Sequence, residues 1–237
     1  MTAQLEIAPE IFQAFPLYQA AIVDAKGLKN GPSDPASSEY LRAAAKAACD
    51  RLDGAPPASH PHVAAWRAAY SQFGSKPSRY PCSAEALLKR ALSGTVPTRN
   101  RLVDVYNAVS LRYVLPVGGE DSDHLKGTLW LKLAEGTETF EMASSDGGEF
   151  VSVTAGEPIW VDGYGVTCRR WNWRQAPRTA LREDTRNAFF VLDALDDEAY
   201  ARLDPATEEL IAQLRTVSPS CDIDVARYSA LVPKRCP

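Results

Sequence analysis

The residues best suited to bind a charged ligand lie in the stretch CRRWNWRQ, residues 168–175, which holds three arginines and two tryptophans within six positions. Side chains alternate between the two faces of a strand. Interpreted as one strand, the stretch places Arg170, Asn172 and Arg174 on a fully polar face. Its other face carries Arg169, Trp171, Trp173 and Gln175, with the tryptophans expected in the core. Because arginine contacts carboxylate and phosphate in a bidentate manner and stacks on bases, the polar face is a candidate anion-binding surface.

The same arginines have a second interpretation as internal charge partners. Arg178, Arg182 and Arg186 follow, so residues 165–186 hold six arginines against two carboxylates. Residues 135–162 hold seven acids and no lysine or arginine, namely Glu135, Glu138, Glu141, Asp146, Glu149, Glu157 and Asp162. Neighbouring strands would bring the two sets together. The sequence leaves both interpretations open.

A second feature is the stretch LPVGGED, residues 115–121, which follows the helical pattern VDVYNAVSLR. Gly118 and Gly119 allow the backbone to approach a ligand closely, and their amides can donate to an oxyanion. A plain tight turn is the alternative. On the preceding helix, Asn107 and Ser110 are three residues apart and therefore share a face.

Several common chemistries have no support in the sequence. His60, His62 and His124 show no metal-ligand spacing and are expected to be exposed loop histidines, so we predict no metal. No Gly-x-Ser-x-Gly elbow, phosphate loop or Gly-x-Gly-x-x-Gly motif is present. We therefore predict no cofactor, and the pattern disfavours nucleotide hydrolysis and dinucleotide redox chemistry.

The composition is that of an ordinary soluble globular protein, with 237 residues, 45% hydrophobic and 24% charged residues, and a net charge of -4. Five scattered cysteines, at 49, 82, 168, 221 and 236, indicate a reducing compartment rather than a disulfide framework. No membrane-length apolar run or secretory signal is visible. We predict a cytoplasmic protein without a membrane or DNA partner.

The elements that must position these residues form two parts of the chain, a mainly helical part followed by a β-rich part. A strand is predicted over residues 15–28, and helices are predicted over residues 35–52, 63–73, 83–92 and 102–112. Asp34 and Pro35 mark one helix start, and Asp204 with Pro205 marks another near the end. Between them, short β-rich runs alternate with turns from Tyr113 onward. The order predicts one α+β or mixed α/β domain, with helices packed on a mainly antiparallel β-sheet region.

Three runs in this order resemble a known family. They are AWRAAYSQFGSKPSRYPCSAEALLKRAL, LVDVYNAVSLRYVLPVGGEDSDHLKG and CRRWNWRQAPRT. Together they resemble free-standing relatives of the tRNA-editing (B3/B4) domain of the phenylalanyl-tRNA synthetase beta subunit. The resemblance covers about residues 15–215, which leaves residues 1–14 as an N-terminal segment and residues 216–237 as a C-terminal tail.

The resemblance implies a cleft that accepts the aminoacylated 3′ end of tRNA. It implies hydrolysis, in trans, of the ester of a wrongly attached amino acid, aromatic or similar. Two alternatives stay open: a non-catalytic RNA- or amino-acid-binding module that kept the cleft, and a small-molecule hydrolase or interaction protein that shares only the fold. The oligomeric state and the particular tRNA are not determined by the sequence.

The resemblance also assigns expected roles to individual residues. Asn107 and Ser110 are expected near the scissile ester, with Gly118 and Gly119 as backbone donors. Substrate contacts are expected from Asp121 to the ammonium group, and from Arg170, Asn172 and Arg174 to the terminal nucleotides. Glu85 is expected to act through helix N-terminal electrostatics or as a further substrate contact. Gly118 stands where the synthetase form has a histidine, so no role of that side chain is carried over.

Overall fold

The structure is a computed structural model that describes residues 4–142 and 149–230. In chain order its elements are β1 (Leu5–Ile7), α1 (Pro9–Ala14), β2 (Gln19–Lys26), α2 (Pro35–Leu52), α3 (Pro61–Gln72), α4 (Ser83–Leu92), α5 (Arg101–Tyr113), β3 (Val117–Asp121), β4 (Leu129–Leu133), β5 (Thr139–Met142), β6 (Glu149–Ser152), β7 (Pro158–Val161), β8 (Val166–Arg169), β9 (Arg174–Gln175), β10 (Asn187–Ala194), α6 (Asp197–Val217) and β11 (Asp222–Ser229). Cys236 and Asp146 lie outside the described residues.

The described strands form two sheets. One has four strands in the order β11-β2-β10-β3, antiparallel throughout. The other has seven, in the order β1-β4-β7-β8-β5-β6 with β9 paired to β8, and only the β1–β4 and β5–β8 pairs are parallel. The predicted fold, a mixed α+β domain with helices on mainly antiparallel sheets, is confirmed.

The four-stranded sheet is buried on both faces, which explains its apolar central strands. Phe190 and Leu192 of β10 pack in a cluster with residues of α5 and α6. Phe189 and Val191, which alternate with them along β10, belong to a second cluster, which also contains Trp160 of the seven-stranded sheet. The face of β10 that carries Val191 therefore points toward the other sheet.

The segments that flank the predicted domain take part in these sheets. β1 pairs with β4, and β11 pairs along its whole length with β2. The described parts of residues 1–14 and 216–237 are thus packed against the rest of the chain, while residues 231–237 lie outside the described residues. Across residues 4–142 and 149–230, no helix combines the length and the apolar character that a membrane crossing requires.

Local capping signals were correct at one helix and wrong at another. Asp34 accepts a hydrogen bond from the Ser37 amide at 2.8 Å, and α2 starts at Pro35 as predicted. α6 does not start at Pro205, which lies inside the helix; Asp196 is its N-cap. Proline removes one backbone donor from the middle of a helix. Here the apolar face, buried from Ala199 to Leu214, is long enough to continue the helix through that position.

The stretch CRRWNWRQ is a hairpin and not one strand, so the predicted alternation is wrong. β8 ends at Arg169, β9 begins at Arg174, and the two residues pair directly. Between them, Arg170 and Trp171 have φ angles of 47° and 66°. Non-glycine residues rarely adopt this left-handed conformation, and it turns the chain within four residues. The turn sends Trp171 into the core and leaves Arg174 exposed.

Candidate functional site

A cavity of about 190 Å³ lies where β3 and β10 face the β8–β9 hairpin. Its lining comes from β3 (Val117, Gly118, Gly119 and Glu120), β10 (Val191 and Asp193), the hairpin (Trp171, Asn172, Trp173, Arg174 and Gln175), α5 (Tyr106 and Asn107), Ser83, Trp160 and Cys168. We call this space the site cavity. At about 30 Å³ per water molecule it holds on the order of six waters. This is the scale of an amino-acid side chain and smaller than a nucleotide.

Gly118 leaves part of the cavity wall open. A Cβ atom built on Gly118 would meet no atom within 4 Å, whereas one on Gly119 would lie 2.7 Å from Leu181 Cδ1. Both glycines lie in β3 and neither has a positive φ, so the alternative of a tight turn is wrong. The missing side chain of Gly118 provides room for a ligand on the β3 wall.

The amides of the two glycines point in opposite directions. The Asp193 amide donates to the Pro116 carbonyl at 3.0 Å, and Gly118 lies opposite Val191 in the same register. Hydrogen-bonded pairs alternate along an antiparallel ladder, so the Gly118 amide bonds to β10 and the Gly119 amide points away from it. The Gly119 carbonyl, on that outer side, accepts from Gln175 Nε2 at 2.7 Å. Of the two amides, that of Gly119 is available to an oxyanion.

Two buried carboxylates line the cavity, Glu120 with 6% and Asp193 with 3% of its surface exposed. Glu120 Oε2 accepts from Gln175 Nε2 at 2.8 Å. Asp193 accepts from the Tyr18 hydroxyl at 2.7 Å and from Asn172 Nδ2 at 3.1 Å. Burial raises the pKa of Glu120 to about 7 and that of Asp193 to about 6, although the hydrogen bonds that each accepts lower it.

These carboxylates predict a measurable pH dependence of stability. Their folded-state pKa values exceed the ordinary ones, so the folded protein holds more protons than the unfolded chain between about pH 4.5 and 7 at Glu120 and between about pH 3.8 and 6 at Asp193. The contribution of each group to the free energy of unfolding is fully present below its range and is lost as the pH rises through that range. The free energy of unfolding of Glu120→Gln, relative to that of wild type, should therefore increase by on the order of 1–3 kcal/mol from pH 5 to pH 8. Urea unfolding at both pH values measures it.

A control for this effect is Glu208→Gln, which changes an exposed acid on α6. Its stability difference from wild type should be the same at pH 5 and pH 8. A Glu120→Gln difference that is equally flat would show that Glu120 titrates in the folded protein as it does in water.

A wider groove of about 740 Å³ adjoins the site cavity and shares Asn107, Trp173 and Arg174 with it. Four exposed arginines line it, Arg90, Arg99, Arg174 and Arg182, and we call it the arginine groove. Glu183 is the one carboxylate among its lining residues. Within the described residues, none of the four arginines forms an ion pair. Their charges are therefore available to an anionic ligand.

Asn107 lies at the junction between the site cavity and the arginine groove. It is half-buried, and its side-chain amide makes no hydrogen bond to any residue that the structure describes. An amide at this position can both donate to and accept from a ligand. The predicted placement of Asn107 beside a reacting group is compatible with this location.

The hairpin arginines divide between the two interpretations that the sequence left open. Arg169 is buried and makes two 2.9 Å hydrogen bonds to Glu157, and Arg178 makes a 2.8 Å ion pair with Asp162. Internal pairing therefore accounts for these two. Arg174 remains exposed in the groove and stacks on the Trp173 ring at 4.7 Å from its centroid.

Arg170 is not among the residues that line either space, contrary to its predicted place beside Asn172 and Arg174. Its guanidinium lies 3.8 Å from the Tyr80 ring centroid and 4.8 Å from that of Trp173. It also lies 3.9 Å from Glu157 Oε2. The left-handed turn breaks the alternation of the strand. Arg170 therefore packs on the Tyr80 and Trp173 rings, whereas Asn172 and Arg174 line the site cavity.

Three further predicted site residues are absent from the cavity lining. The Ser110 hydroxyl is buried and donates to the Leu115 carbonyl at 2.6 Å, because residue 110 lies on the core side of α5. Asp121 accepts from Thr185 Oγ1 at 2.7 Å and stabilises the turn after β3. Glu85 is buried in the first turn of α4 and pairs with Lys89 at 2.7 Å and Arg67 at 2.8 Å.

Sequence reasoning missed the two carboxylates of the cavity. Glu120 adjoins the predicted Asp121, and alternation along β3 sends the two side chains to opposite faces. The sequence shows two adjacent acids in GGED, but only the structure shows that Glu120, and not the predicted Asp121, lines the cavity. Asp193 had a weaker signal, a single acid inside the apolar run FFVLDAL. An acid in a buried strand requires polar partners, so its presence in this run was a signal of a buried polar site.

Cys168 and His62 are two further groups with the chemistry of a nucleophile or a metal ligand. Cys168 lines the cavity, but burial raises the pKa of its thiol well above the ordinary value, so it stays protonated. His62 is not an exposed loop residue: it is buried on α3 between the Val114 carbonyl and the Trp66 indole. Over the described ranges, no three His, Cys, Asp or Glu residues are arranged to hold a metal ion.

The chain is similar to proteins of one known family. The family model described as B3/4 domain matches residues 65–226 of the chain. A comparison with curated proteins gives no match. Among solved structures, the chain is similar to an N-terminal fragment of the phenylalanyl-tRNA synthetase beta-subunit from Pyrococcus horikoshii, at 12% identity and a TM-score of 0.49. The similarity covers 95% of this chain and 50% of that chain, so this chain spans about half of the fragment's length.

Proposed function

The chain belongs to the B3/4 domain family, and from this premise we propose that it hydrolyses, in trans, the ester of a mischarged aminoacyl-tRNA. The observation that carries the proposal is the connection between two spaces. The site cavity has the volume of an amino-acid side chain and is lined by two buried carboxylates, and it adjoins a groove with four arginines that form no ion pair with any described residue. An aminoacylated RNA end has two corresponding parts, a small aminoacyl group that would fit the cavity and a chain of phosphates that would lie in the groove.

Two groups of the cavity supply the chemistry of ester hydrolysis in this proposal. Glu120, whose pKa is raised by burial to about 7, is able to take a proton from an attacking water near neutral pH. The Gly119 amide donates to the oxyanion of the tetrahedral intermediate. Asn107, at the junction, holds the ester or the water. Because an aminoacyl ester is already reactive, the neighbouring ribose hydroxyl of the substrate can assist the same step.

The decisive experiment is single-turnover hydrolysis with a panel of tRNAs charged with non-cognate amino acids, including aromatic ones. The proposal expects at least one pair to be deacylated well above the rate in buffer. If no pair exceeds that rate, the protein is not a deacylase. Saturable binding of the same RNAs without turnover would then assign it as a binding module that retains the cleft.

The arginine groove predicts how salt should act on RNA binding. Each phosphate contact to single-stranded RNA lowers log K by about 0.7 per unit of log salt. Arg174→Gln should weaken binding of a CCA-ended RNA and reduce this slope by about one contact. Arg215→Gln, at an exposed arginine near the end of α6, is the matched control and should leave the slope unchanged. Titration by fluorescence anisotropy from 50 to 300 mM salt measures both slopes.

A flat salt dependence in the wild-type protein would argue against phosphate contacts altogether. An unchanged slope in Arg174→Gln, with a steep one in wild type, would place the phosphates on the other arginines of the groove. Arg174 would then act by stacking alone.

A further inference from the structure

Asp193 is a buried acid that has no counter-ion among the described residues. Its side chain is almost fully buried, and the two groups that donate to it, the Tyr18 hydroxyl and the Asn172 side-chain amide, are neutral. No lysine, arginine or histidine among the described residues lies within ion-pair distance of it. A buried carboxylate is ordinarily stabilised by a positive partner.

The geometry of Asp193 leaves room for such a partner from outside. Each carboxylate oxygen can accept two hydrogen bonds, and each has one protein donor. Asp193 lies on the same face of the sheet as Gly118, across the β3–β10 pairing, so the open wall at Gly118 adjoins it. A ligand that fills this space can place a cationic group against Asp193.

We propose that Asp193 binds the free α-ammonium group of the substrate, and that the protein therefore accepts aminoacyl esters and rejects their N-acylated forms. This inference rests on the proposed function, and it assigns the ammonium contact to Asp193 in place of Asp121, whose carboxylate is occupied by the turn after β3. Acylation removes the charge and adds bulk beside the carboxylate. N-acetyl, N-formyl and peptidyl esters are then excluded by the loss of a buried ion pair.

Non-hydrolysable probes test the ammonium contact separately from hydrolysis. L-Phenylalaninamide carries the amine, N-acetyl-L-phenylalaninamide carries the acylated nitrogen, and L-phenyllactamide replaces the amine with a neutral hydroxyl of similar size. Calorimetric titration at pH 7.5 should show that the amine probe binds at least about tenfold more tightly than either neutral probe. In Asp193→Asn, which keeps the shape but not the charge, the three affinities should agree within about threefold.

The outcomes separate the inference from the proposed function. If wild type binds the amine and hydroxyl probes equally, or does not bind the amine probe at millimolar concentration, the ammonium contact is absent whether or not tRNA is deacylated. If Asp193→Asn keeps the full preference, another group makes the contact. Tyr18→Phe leaves the carboxylate in place and should keep the preference, which tests the inference if Asp193→Asn does not fold. If wild type prefers the amine probe but deacylates no tRNA, the proposed function is refuted and the ammonium contact is retained.

Discussion

Glu120→Gln is expected to lower the single-turnover rate of deacylation by about 10²–10⁴ while leaving the protein folded. Glutamine keeps the shape of the side chain and its hydrogen bond with Gln175, but it cannot take a proton from water. The wild-type rate should rise with pH and level off above about 7, where burial places the pKa of Glu120. The rate of Glu120→Gln should lose this rise.

The control for this substitution is Asp121→Asn, one residue further along β3. Asp121 lies outside the cavity lining, and its carboxylate contacts Thr185, the Asp123 amide and His124. The deacylation rate per folded molecule should change little. If Asp121→Asn reduced the rate more than Glu120→Gln, the assignment of faces on β3 would be wrong. If Glu120→Gln kept full activity, the ribose hydroxyl of the substrate would be sufficient to activate the water.

Trp171→Ala is expected to destabilise the protein by about 3–5 kcal/mol, the usual cost of removing a fully buried aromatic side chain. The indole is fully buried and makes edge contacts with Phe15, Tyr18 and Trp66 at centroid distances of 4.8, 4.7 and 5.1 Å. These contacts join α3 and the segment between α1 and β2 to the hairpin. For a chain of this size the melting temperature should fall by roughly 6–20 °C.

Trp130→Ala on β4 is the matched control, because 43% of that tryptophan is exposed. Its melting temperature should change by a few degrees at most. Thermal unfolding followed by circular dichroism compares the two variants. Equal effects would show that the hairpin tryptophan does not anchor the core.

The hairpin contains two kinds of residue, those that stabilise the fold and those that line the candidate site. Trp171 fixes the hairpin from inside, while Arg170 fixes it from outside by lying on the Tyr80 and Trp173 rings. These contacts hold Asn172 in the wall of the site cavity, and Arg174 in the walls of both the cavity and the arginine groove. A rigid support of this kind keeps binding groups in place without a cost in ordering them.

The elements themselves were largely predictable from the sequence. The apolar run of β2 and the capping residue Asp34 with Pro35 gave a strand and a helix start where the structure has them. These signals are local, because a cap or a buried stripe depends on residues within a few positions. The start of α6 was not predictable from Pro205, since packing of its buried face overrides the preference of one residue.

The family resemblance and the candidate stretches were also predicted from the sequence. The direction in which each side chain of those stretches points was not. In GGED and CRRWNWRQ the sequence by itself provided glycines, acids and arginines as candidate site residues. The tertiary structure decided that Glu120 lines the cavity and Asp121 does not. It also decided that Arg169 pairs with Glu157, whereas Arg174 forms no ion pair within the described part of the chain. A strand reverses its faces with a shift of one residue, and a left-handed turn at two non-glycine residues has no local signal. Register and turns of this kind are set by the strands and rings packed around them.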